Sequence, residues 1–131
     1  MFFDIQTLKG LSIAKKYPAN TVIVTEGEES PYNLYIVLSG TLRVVKNYDS
    51  HHPNVVAKLG PGEVFGEMSL FLKKPRTATV VTAEETVVLE VQQSDVYELI
   101  RSNPEMIYGI LKTLCVRVDE LNNRVRSRSL S

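Results

Sequence analysis

Short runs of β-forming residues, separated by turn-forming residues, dominate the sequence between residues 12 and 92. Val, Ile, Thr and Tyr are enriched in strands, whereas Gly, Pro, Asn and Asp favour turns. Closely spaced short strands with turn signals between them are typical of a β-sandwich or a β-barrel. The pattern therefore predicts an all-β region of seven strands: Ser12–Tyr17, Thr21–Thr25, Asn33–Ser39, Thr41–Lys46, Val55–Leu59, Ala78–Thr82 and Thr86–Gln92.

Several of these runs alternate along the strand. Leu34, Ile36 and Leu38, for example, share one side of the third run. Successive side chains of a strand point to opposite faces of its sheet, so we expect one side of each strand to face a common core. The polar segment Asn47–Asn54 between the fourth and fifth runs is predicted to be an exposed hairpin loop.

The hydrophobic period changes after the last predicted strand. Ser94 is a candidate N-cap, and the apolar residues Val96, Leu99 and Ile100 follow with helical spacing. A short helix is therefore predicted directly after the β region. A second short helix is predicted near the N-terminus, over Asp4–Gly10.

A longer C-terminal helix is predicted to begin at Asn103 and Pro104, whose residue types are favoured at the N-cap and first helical positions. No later proline interrupts it, so it is expected to reach about Val125. Its apolar residues lie four and three residues apart in alternation, the heptad spacing of parallel dimers. Packing of the same seam against the molecule's own strands remains an equal alternative. The seam consists of Ile107, Leu111, Leu114, Val118, Leu121 and Val125.

Composition excludes several classes of function. Fifteen Lys and Arg residues balance fifteen Asp and Glu among 131 residues, so the chain lacks the positive charge expected of a nucleic-acid-binding face. The clustered cations Arg124, Arg126 and Arg128 are too few to change that expectation. No apolar stretch has the length of a membrane span or signal peptide. Cys115 is the single cysteine, which precludes an internal disulfide and favours a reducing, cytoplasmic location.

The segment between residues 60 and 80 interrupts the strand pattern without becoming a polar loop. It contains a short apolar stretch after Gly66, long enough for one or two helical turns, whose first amides could bind an anion. Arg76 follows, and its guanidinium could form two parallel hydrogen bonds to a phosphate. Glu67 would repel a bare phosphate but would accept a hydrogen bond from a neighbouring sugar hydroxyl. Together, Glu67 and Arg76 predict a sugar-phosphate site.

This segment resembles the phosphate-binding cassette of cyclic nucleotide-binding domains. The family's cassette usually contains Phe-Gly-Glu, then a short apolar stretch, then Pro-Arg-(Ala/Thr)-Ala-(Thr/Ser)-Val. The sequence has FGE at residues 65–67 and PRTATV at residues 75–80, with nine residues from Glu67 to Arg76. The strands on both sides and the two closing helices also agree with the family, so the resemblance covers essentially the whole chain.

The resemblance implies an eight-stranded β-roll of the jelly-roll type, with a short N-terminal helix and two C-terminal helices. The chain would be one domain over residues 1–131, with the roll at about 12–92 and the C-terminal helices at about 94–126. Its ligand would be a 3′,5′-cyclic purine nucleotide, and the choice between cAMP and cGMP stays open.

The resemblance also implies roles for the cassette residues. Glu67 would bind the ribose 2′-hydroxyl, Arg76 would bind the cyclic phosphate, and Thr77 would place a hydroxyl near phosphate and base. Other candidate ligand-binding residues would supply amides to the phosphate, apolar contacts to the purine or a neighbouring side chain: Gly66, Met68, Ser69, Ala78, Val64 and Leu70.

Alternative interpretations of the conspicuous residues are less specific. Glu67 and Arg76 could form an ordinary surface ion pair. His51 and His52 are the only histidines, and adjacent residues on a strand point to opposite faces, so a metal enzyme is not expected. Cys115 is expected to be a packed thiol rather than a nucleophile.

The sequence therefore predicts a non-catalytic regulatory module that binds a cyclic nucleotide and repositions its C-terminal helices. We expect no metal or other cofactor, no nucleic acid and no membrane as partners, and a homodimer through the seam remains an option. The alternative is a module of the same fold that acts in structure or dimerisation without a ligand.

Overall fold

The computed structural model describes residues 12–130, with side chains described through residue 123. Eight antiparallel strands form two four-stranded sheets, ordered β1-β8-β3-β6 and β2-β7-β4-β5. The expected eight-stranded roll is confirmed, whereas the helix predicted over Asp4–Gly10 lies outside the described residues. The strands are β1 Ile13–Tyr17, β2 Val22–Val24, β3 Leu34–Ser39, β4 Leu42–Lys46, β5 Asn54–Leu59, β6 Val64–Phe65, β7 Thr79–Thr82 and β8 Thr86–Val91.

The strand β6 was missed by the β-type runs of the sequence. It contains only Val64 and Phe65, which pair with Ile36 and Tyr35 of β3. A two-residue strand has no alternation to detect, and its pairing depends on β3, far earlier in the chain. The other seven strands coincide with the predicted runs to within one residue at each end.

Strand β3 is buried on both faces, and this corrects the expectation of one common core. Tyr35 and Val37 point into the roll, whereas Leu34 and Ile36 point outward against the helices. We call the inner set the roll core: Val24, Tyr35, Val37, Leu42, Leu59, Phe65, Val80 and Val88. We call the outer set the helix-facing core: Tyr32, Leu34, Ile36, Leu70, Leu89, Val91, Val96, Leu99 and Met106.

Three α-helices flank the roll: α1 Glu67–Leu72, α2 Val96–Ser102 and α3 Pro104–Leu130. Ser94 is not the N-cap predicted for α2, because it lies in a 3₁₀ turn over Gln93–Asp95 that precedes the helix. Helix α3 runs past the predicted end at Val125, since neither Gly nor Pro follows to stop it.

Asn103 joins α2 to α3. Its carbonyl accepts a hydrogen bond from the Ile107 amide at 3.3 Å, so it occupies the N-cap position of α3, as predicted. Its side-chain amide donates instead to the Leu99 carbonyl of α2, at 3.3 Å. The buried residue therefore satisfies polar groups at the end of one helix and the start of the next.

The predicted seam of α3 divides into two parts. Ile107 packs against the helix-facing core, whereas Leu111, Val118 and Leu121 are each 56% exposed. Cys115 is also exposed, so the expectation of a packed thiol is wrong; the roll does not reach that side of α3. The side chain of Val125 lies outside the described residues.

Within residues 12–130, no helix combines the length and apolarity that crossing a bilayer requires. In the same part of the chain, no three His, Cys, Asp or Glu side chains come together as a metal-binding group.

Candidate functional site

The turn before α1 brings the cassette backbone close to Arg76. Gly66 has φ of 91°, a left-handed conformation that disfavours other residues. A Cβ atom on Gly66 would lie 2.8 Å from Arg76 Nη1 and 2.8 Å from the Asn33 carbonyl oxygen. Glycine is therefore required here by both its conformation and the space around it.

The start of α1 leaves main-chain donors without helical partners. A helical hydrogen bond runs across the turn from the Leu70 amide to the Gly66 carbonyl, at 3.3 Å. In any helix, the amides of the first turn have no acceptor within the helix itself. The amides of Glu67, Met68 and Ser69, in the first turn of α1 after Gly66, therefore have no acceptor within the helix.

Arg76 is buried, with 7% of its surface exposed. Its Nη1 donates to the Gly66 carbonyl at 3.1 Å, and its Nη2 donates to the Asn33 carbonyl at 3.0 Å. The guanidinium carbon also lies 5.5 Å from the centre of the Tyr32 ring and 6.0 Å from that of Tyr35. These contacts hold the guanidinium in one position beside the start of α1.

The main chain of Arg76 is anchored as well. Its amide donates to the Glu28 carbonyl at 2.9 Å, and its carbonyl accepts from the Gly27 amide at 2.8 Å. The turn after β2 therefore fixes the backbone from which the Arg76 side chain extends.

No carboxylate neutralises Arg76 among the side chains described through residue 123. The ion pairs there are Lys15–Glu90, Lys16–Glu85, Arg101–Glu98 and Arg117–Glu63. The surface ion pair between Glu67 and Arg76, considered above, is thus not formed. A buried charge without a counter-charge is costly, so an anion bound beside this guanidinium would be stabilised.

A cavity of about 190 Å³ opens beside Arg76, and we call it the cassette cavity. Apolar side chains of the roll, such as Val24 and Val80, form its far wall. Leu70 does not line it, because its side chain belongs to the helix-facing core. The other candidate residues from the sequence all line it: Val64, Gly66, Glu67, Met68, Ser69, Arg76, Thr77 and Ala78.

Sequence reasoning missed Arg117, the residue of α3 that lines the cassette cavity. Its Nη2 lies 2.9 Å from Glu63 Oε2, and both side chains are more than one-third exposed. A lone charged residue on a helix is ordinarily solvated, so the sequence carried no signal for this placement. Arg117 nevertheless links the long helix to the rim of the cavity.

Burial also affects Tyr35 beside the site. Loss of solvation raises the pKa of its phenol to about 12, with Glu90 adding to the rise and the Arg76 charge opposing it. Its ring stacks on Phe65 with the ring centres 4.8 Å apart. Tyr35 is therefore a neutral, rigid wall of the roll at neutral pH.

Comparison with known proteins assigns this arrangement to a family. The model of the cyclic nucleotide-binding domain matches residues 14–103, more than half of the chain. The chain belongs to the cyclic nucleotide-binding domain family. The cassette, the first C-terminal helix and all of the roll except Ile13 lie within the matched region.

Individual relatives agree with this assignment. A cyclic AMP receptor protein from Thermus thermophilus is 35% identical over 104 residues, which are 79% of this chain and 48% of the relative. The crystal structure of Thermus thermophilus catabolite activator protein matches with a TM-score of 0.79 and 30% identity, over 95% of this chain and 58% of that one. The chain thus spans about half the length of such relatives.

A third match is a solved complex. The regulatory domain of Toxoplasma gondii PKA, crystallised with cAMP, matches with a TM-score of 0.62 and 31% identity. The match covers 77% of this chain and 38% of that one. The roll of this chain is therefore similar to one that has been solved with a cyclic nucleotide.

Proposed function

We propose that the chain binds a 3′,5′-cyclic purine nucleotide, cAMP or cGMP, in the cassette cavity and acts as a non-catalytic sensor. The observation that carries this proposal is the burial of Arg76 without a carboxylate partner. A phosphate would supply the missing negative charge through charge-assisted hydrogen bonds from the guanidinium. Amides of Glu67 and Met68 at the start of α1, with that of Ala78, would complete the phosphate contacts.

Glu67 provides the second half of the proposed recognition. It lines the same cavity, yet it forms no ion pair with Arg76 among the described side chains. A carboxylate in that position would accept a hydrogen bond from the ribose 2′-hydroxyl. Val64 and the apolar wall of the roll would contact the purine, and the exposed Thr77 would place its hydroxyl near phosphate and base.

The relatives support a cyclic nucleotide over other sugar phosphates. A cyclic AMP receptor protein and a PKA regulatory domain crystallised with cAMP are both similar to this chain. The residues of the cassette do not distinguish cAMP from cGMP. We therefore propose both as ligands, and no residue here as catalytic.

Helix α3 is the proposed output element. Arg117 connects its middle to Glu63 and to the rim of the cassette cavity, so a bound nucleotide would change the surroundings of that arginine. A ligand repositions a helix only when it binds one arrangement more tightly than the other. We propose that α3 has two such arrangements, in which its exposed seam packs differently.

A second candidate function rests on that seam. Leu111, Val118 and Leu121 expose apolar surface in register along α3, as expected for a helix that pairs with a second copy. A ligand-independent structural or dimerisation module would use the seam and leave the cassette cavity without a role. The burial of Arg76 favours the sensor.

Calorimetric titration of the chain with cAMP and cGMP tests the proposal. We expect binding at micromolar concentration or tighter for at least one of them, and a higher melting temperature in its presence. The matching 5′-nucleoside monophosphate is the control, because it carries the same base without the cyclic phosphate. If millimolar cyclic nucleotide gives neither heat nor a shift in melting temperature, the proposed sensor function is contradicted, and the structural module is the remaining candidate.

The role of Glu67 has its own test. The native chain should bind a 2′-deoxy cyclic nucleotide more weakly than the parent nucleotide. The Glu67→Ala variant should bind the two nucleotides with about equal affinity. If both proteins discriminate equally between the two nucleotides, Glu67 does not bind the ribose 2′-hydroxyl.

Hydrogen exchange tests the output. With nucleotide, we expect changed protection across Ile107 to Leu121 as well as across Gly66 to Ala78. Changes confined to the cassette would make α3 a static support. Sedimentation of Leu121→Glu beside the native chain would show whether the seam joins two copies.

We further propose that residues 1–131 form one cyclic nucleotide-binding domain that functions in the cytoplasm. The single cysteine and its lack of an internal disulfide support a reducing compartment. The remainder of the relatives' length would carry the downstream activity in any longer protein that contains this domain.

A further inference from the structure

Two side chains extend the contact between β3 and β8 beyond the end of their main-chain pairing. At the end nearest the C-terminal helices, that pairing ends at Leu34 and Val91. The Asn33 Oδ1 atom then accepts a hydrogen bond from the Gln93 amide at 3.2 Å, and the Gln93 Oε1 atom accepts one from the Tyr32 amide at 3.1 Å. We call this reciprocal pair of hydrogen bonds the amide clamp.

Arg76 contacts both of the residues that the amide clamp holds before β3. Its Nη2 donates to the Asn33 carbonyl at 3.0 Å, and its guanidinium carbon lies 5.5 Å from the centre of the Tyr32 ring. The pairing of β3 with β8 begins only at the next residue, Leu34. The position of the Asn33 carbonyl, and of the guanidinium that donates to it, therefore depends on the clamp.

A further contact fixes the side chain of Asn33 from the other end of its amide group. Its Nδ2 donates to Glu90 Oε1 at 3.4 Å. The Glu90 side chain is 12% exposed, and its other oxygen lies 3.0 Å from Lys15 Nζ. Because the Asn33 oxygen and nitrogen both have partners, the plane of this amide group is defined. Buried polar groups that are hydrogen-bonded in this way make a region rigid.

On its other side, the amide clamp reaches the C-terminal helices. Gln93 is the first residue of the 3₁₀ turn Gln93–Asp95, and α2 begins at the next residue, Val96. The clamp thus links the Arg76 guanidinium to the start of the C-terminal helices. This link is separate from the contact that Arg117 of α3 makes with Glu63.

We propose that Asn33 and Gln93 are positioning residues for Arg76. Through the amide clamp they hold the guanidinium in the orientation that would receive a phosphate. The effect on nucleotide affinity rests on the proposed function, whereas the orientation of Arg76 is a property of the chain without ligand. The competing role is completion of the sheet, in which the clamp satisfies two main-chain amides and leaves Arg76 unaffected. The contact of Arg76 with both clamped residues, Tyr32 and Asn33, favours positioning.

Substitutions at Gln93 can remove the oxygen acceptor while keeping the length of the side chain. Gln93→Met offers the Tyr32 amide only a weak sulfur acceptor, whereas Gln93→Glu retains an oxygen. Gln92→Met is the matched control, because Gln92 is the exposed neighbour and undergoes the same chemical change. Thermal unfolding shows that each variant folds. If Gln93→Met does not fold, Asn33→Ala replaces it, because it removes the other acceptor of the clamp.

The first readout is rotation of the Arg76 guanidinium, measured by NMR without nucleotide. In a chain labelled with ¹⁵N-arginine, the two Nη resonances exchange when the group rotates about its Nε–Cζ bond, and Arg76→Ala identifies the signals by their loss. We expect Gln93→Met to increase this exchange rate at least about threefold. Gln93→Glu and Gln92→Met should keep the native rate. A native rate in Gln93→Met, or an equal increase in either of the other two variants, would overturn the proposal.

Titration of the same proteins with cAMP and cGMP distinguishes failure of the positioning from failure of the proposed function. Gln93→Met should weaken the better nucleotide by about three- to tenfold, with Gln93→Glu and Gln92→Met close to the native chain. Native affinity in Gln93→Met would overturn the role of the clamp in binding. If the native chain binds neither nucleotide but the rotation rates are as expected, the sensor function is contradicted and the positioning of Arg76 is supported.

Discussion

The roll and the far half of α3 use apolar residues in opposite ways. In the roll, Val37, Leu42 and Val88 are fully buried, whereas Val118 and Leu121 on the far half of α3 are more than half exposed. The roll closes over its own core. Helix α3 has 27 residues, about 40 Å at 1.5 Å per residue, which is more than the roll covers. The stability of the roll is therefore internal, and the far half of α3 has apolar surface available for a partner.

Leucine-to-alanine substitutions in the two regions test this difference most strongly. Leu42→Ala should lower the free energy of unfolding by about 2–5 kcal/mol, because it leaves a cavity in the roll core. Leu121→Ala should change it by less than about 1 kcal/mol, because solvent replaces the lost contacts. Urea denaturation of both variants measures the contrast, and equal losses would show that the far half of α3 is part of the folded core.

Ionisation of Tyr35 adds a pH-dependent contrast. The pKa of its phenol is about 12 in the folded chain, whereas tyrosine ionises near pH 10 when unfolded. Unfolding above pH 10 therefore releases a proton that the native state retains, and stability falls as pH rises from 10 to 12. The loss should reach about 2–3 kcal/mol.

Denaturation at pH 9 and pH 12 measures that contribution. Tyr35→Phe should lose less stability over this interval than the native chain. Tyr108→Phe, on the exposed face of α3, should keep the full native decline. Identical pH dependence in all three proteins would contradict the burial assigned to Tyr35.

Two glycines with similar backbone angles allow the clash at Gly66 to be separated from the cost of its conformation. Gly66 and Gly62 have φ of 91° and 86°, but only at Gly66 would a Cβ meet other atoms, those of Arg76 and Asn33. Gly62→Ala should cost about 1 kcal/mol for its conformation. Gly66→Ala should cost about 1–3 kcal/mol more for the clash, in thermal or urea unfolding. Equal costs would mean that Arg76 can move aside freely.

The parts of the site that are local in sequence were predictable, and those that depend on distant partners were not. Glu67 and Arg76 line the same cavity, as their spacing predicted, because both residues belong to one short segment. Asn33 accepts from Arg76 across 43 residues of sequence, and no local pattern records that contact. Arg117 lines the cavity only because α3 packs beside it, which no local sequence pattern indicates.

The same distinction applies to the fold. Turn residues and β-forming runs predicted seven strands, because those signals act over a few residues. The second face of β3 could not be assigned, since alternation shows that a strand has two faces but not what covers each of them. The helix-facing core exists because α2 and α3 return to that sheet.

Titration of Arg76→Ala with cAMP and cGMP tests the central claim most directly. Arg101→Ala is the control, because Arg101 is exposed and pairs with Glu98 away from the cassette. Loss of the buried guanidinium should weaken the better nucleotide by about ten- to hundredfold, or about 1.5–3 kcal/mol, with the control unchanged. An Arg76→Ala dissociation constant equal to that of the native chain would show that the phosphate is held elsewhere and would contradict the account.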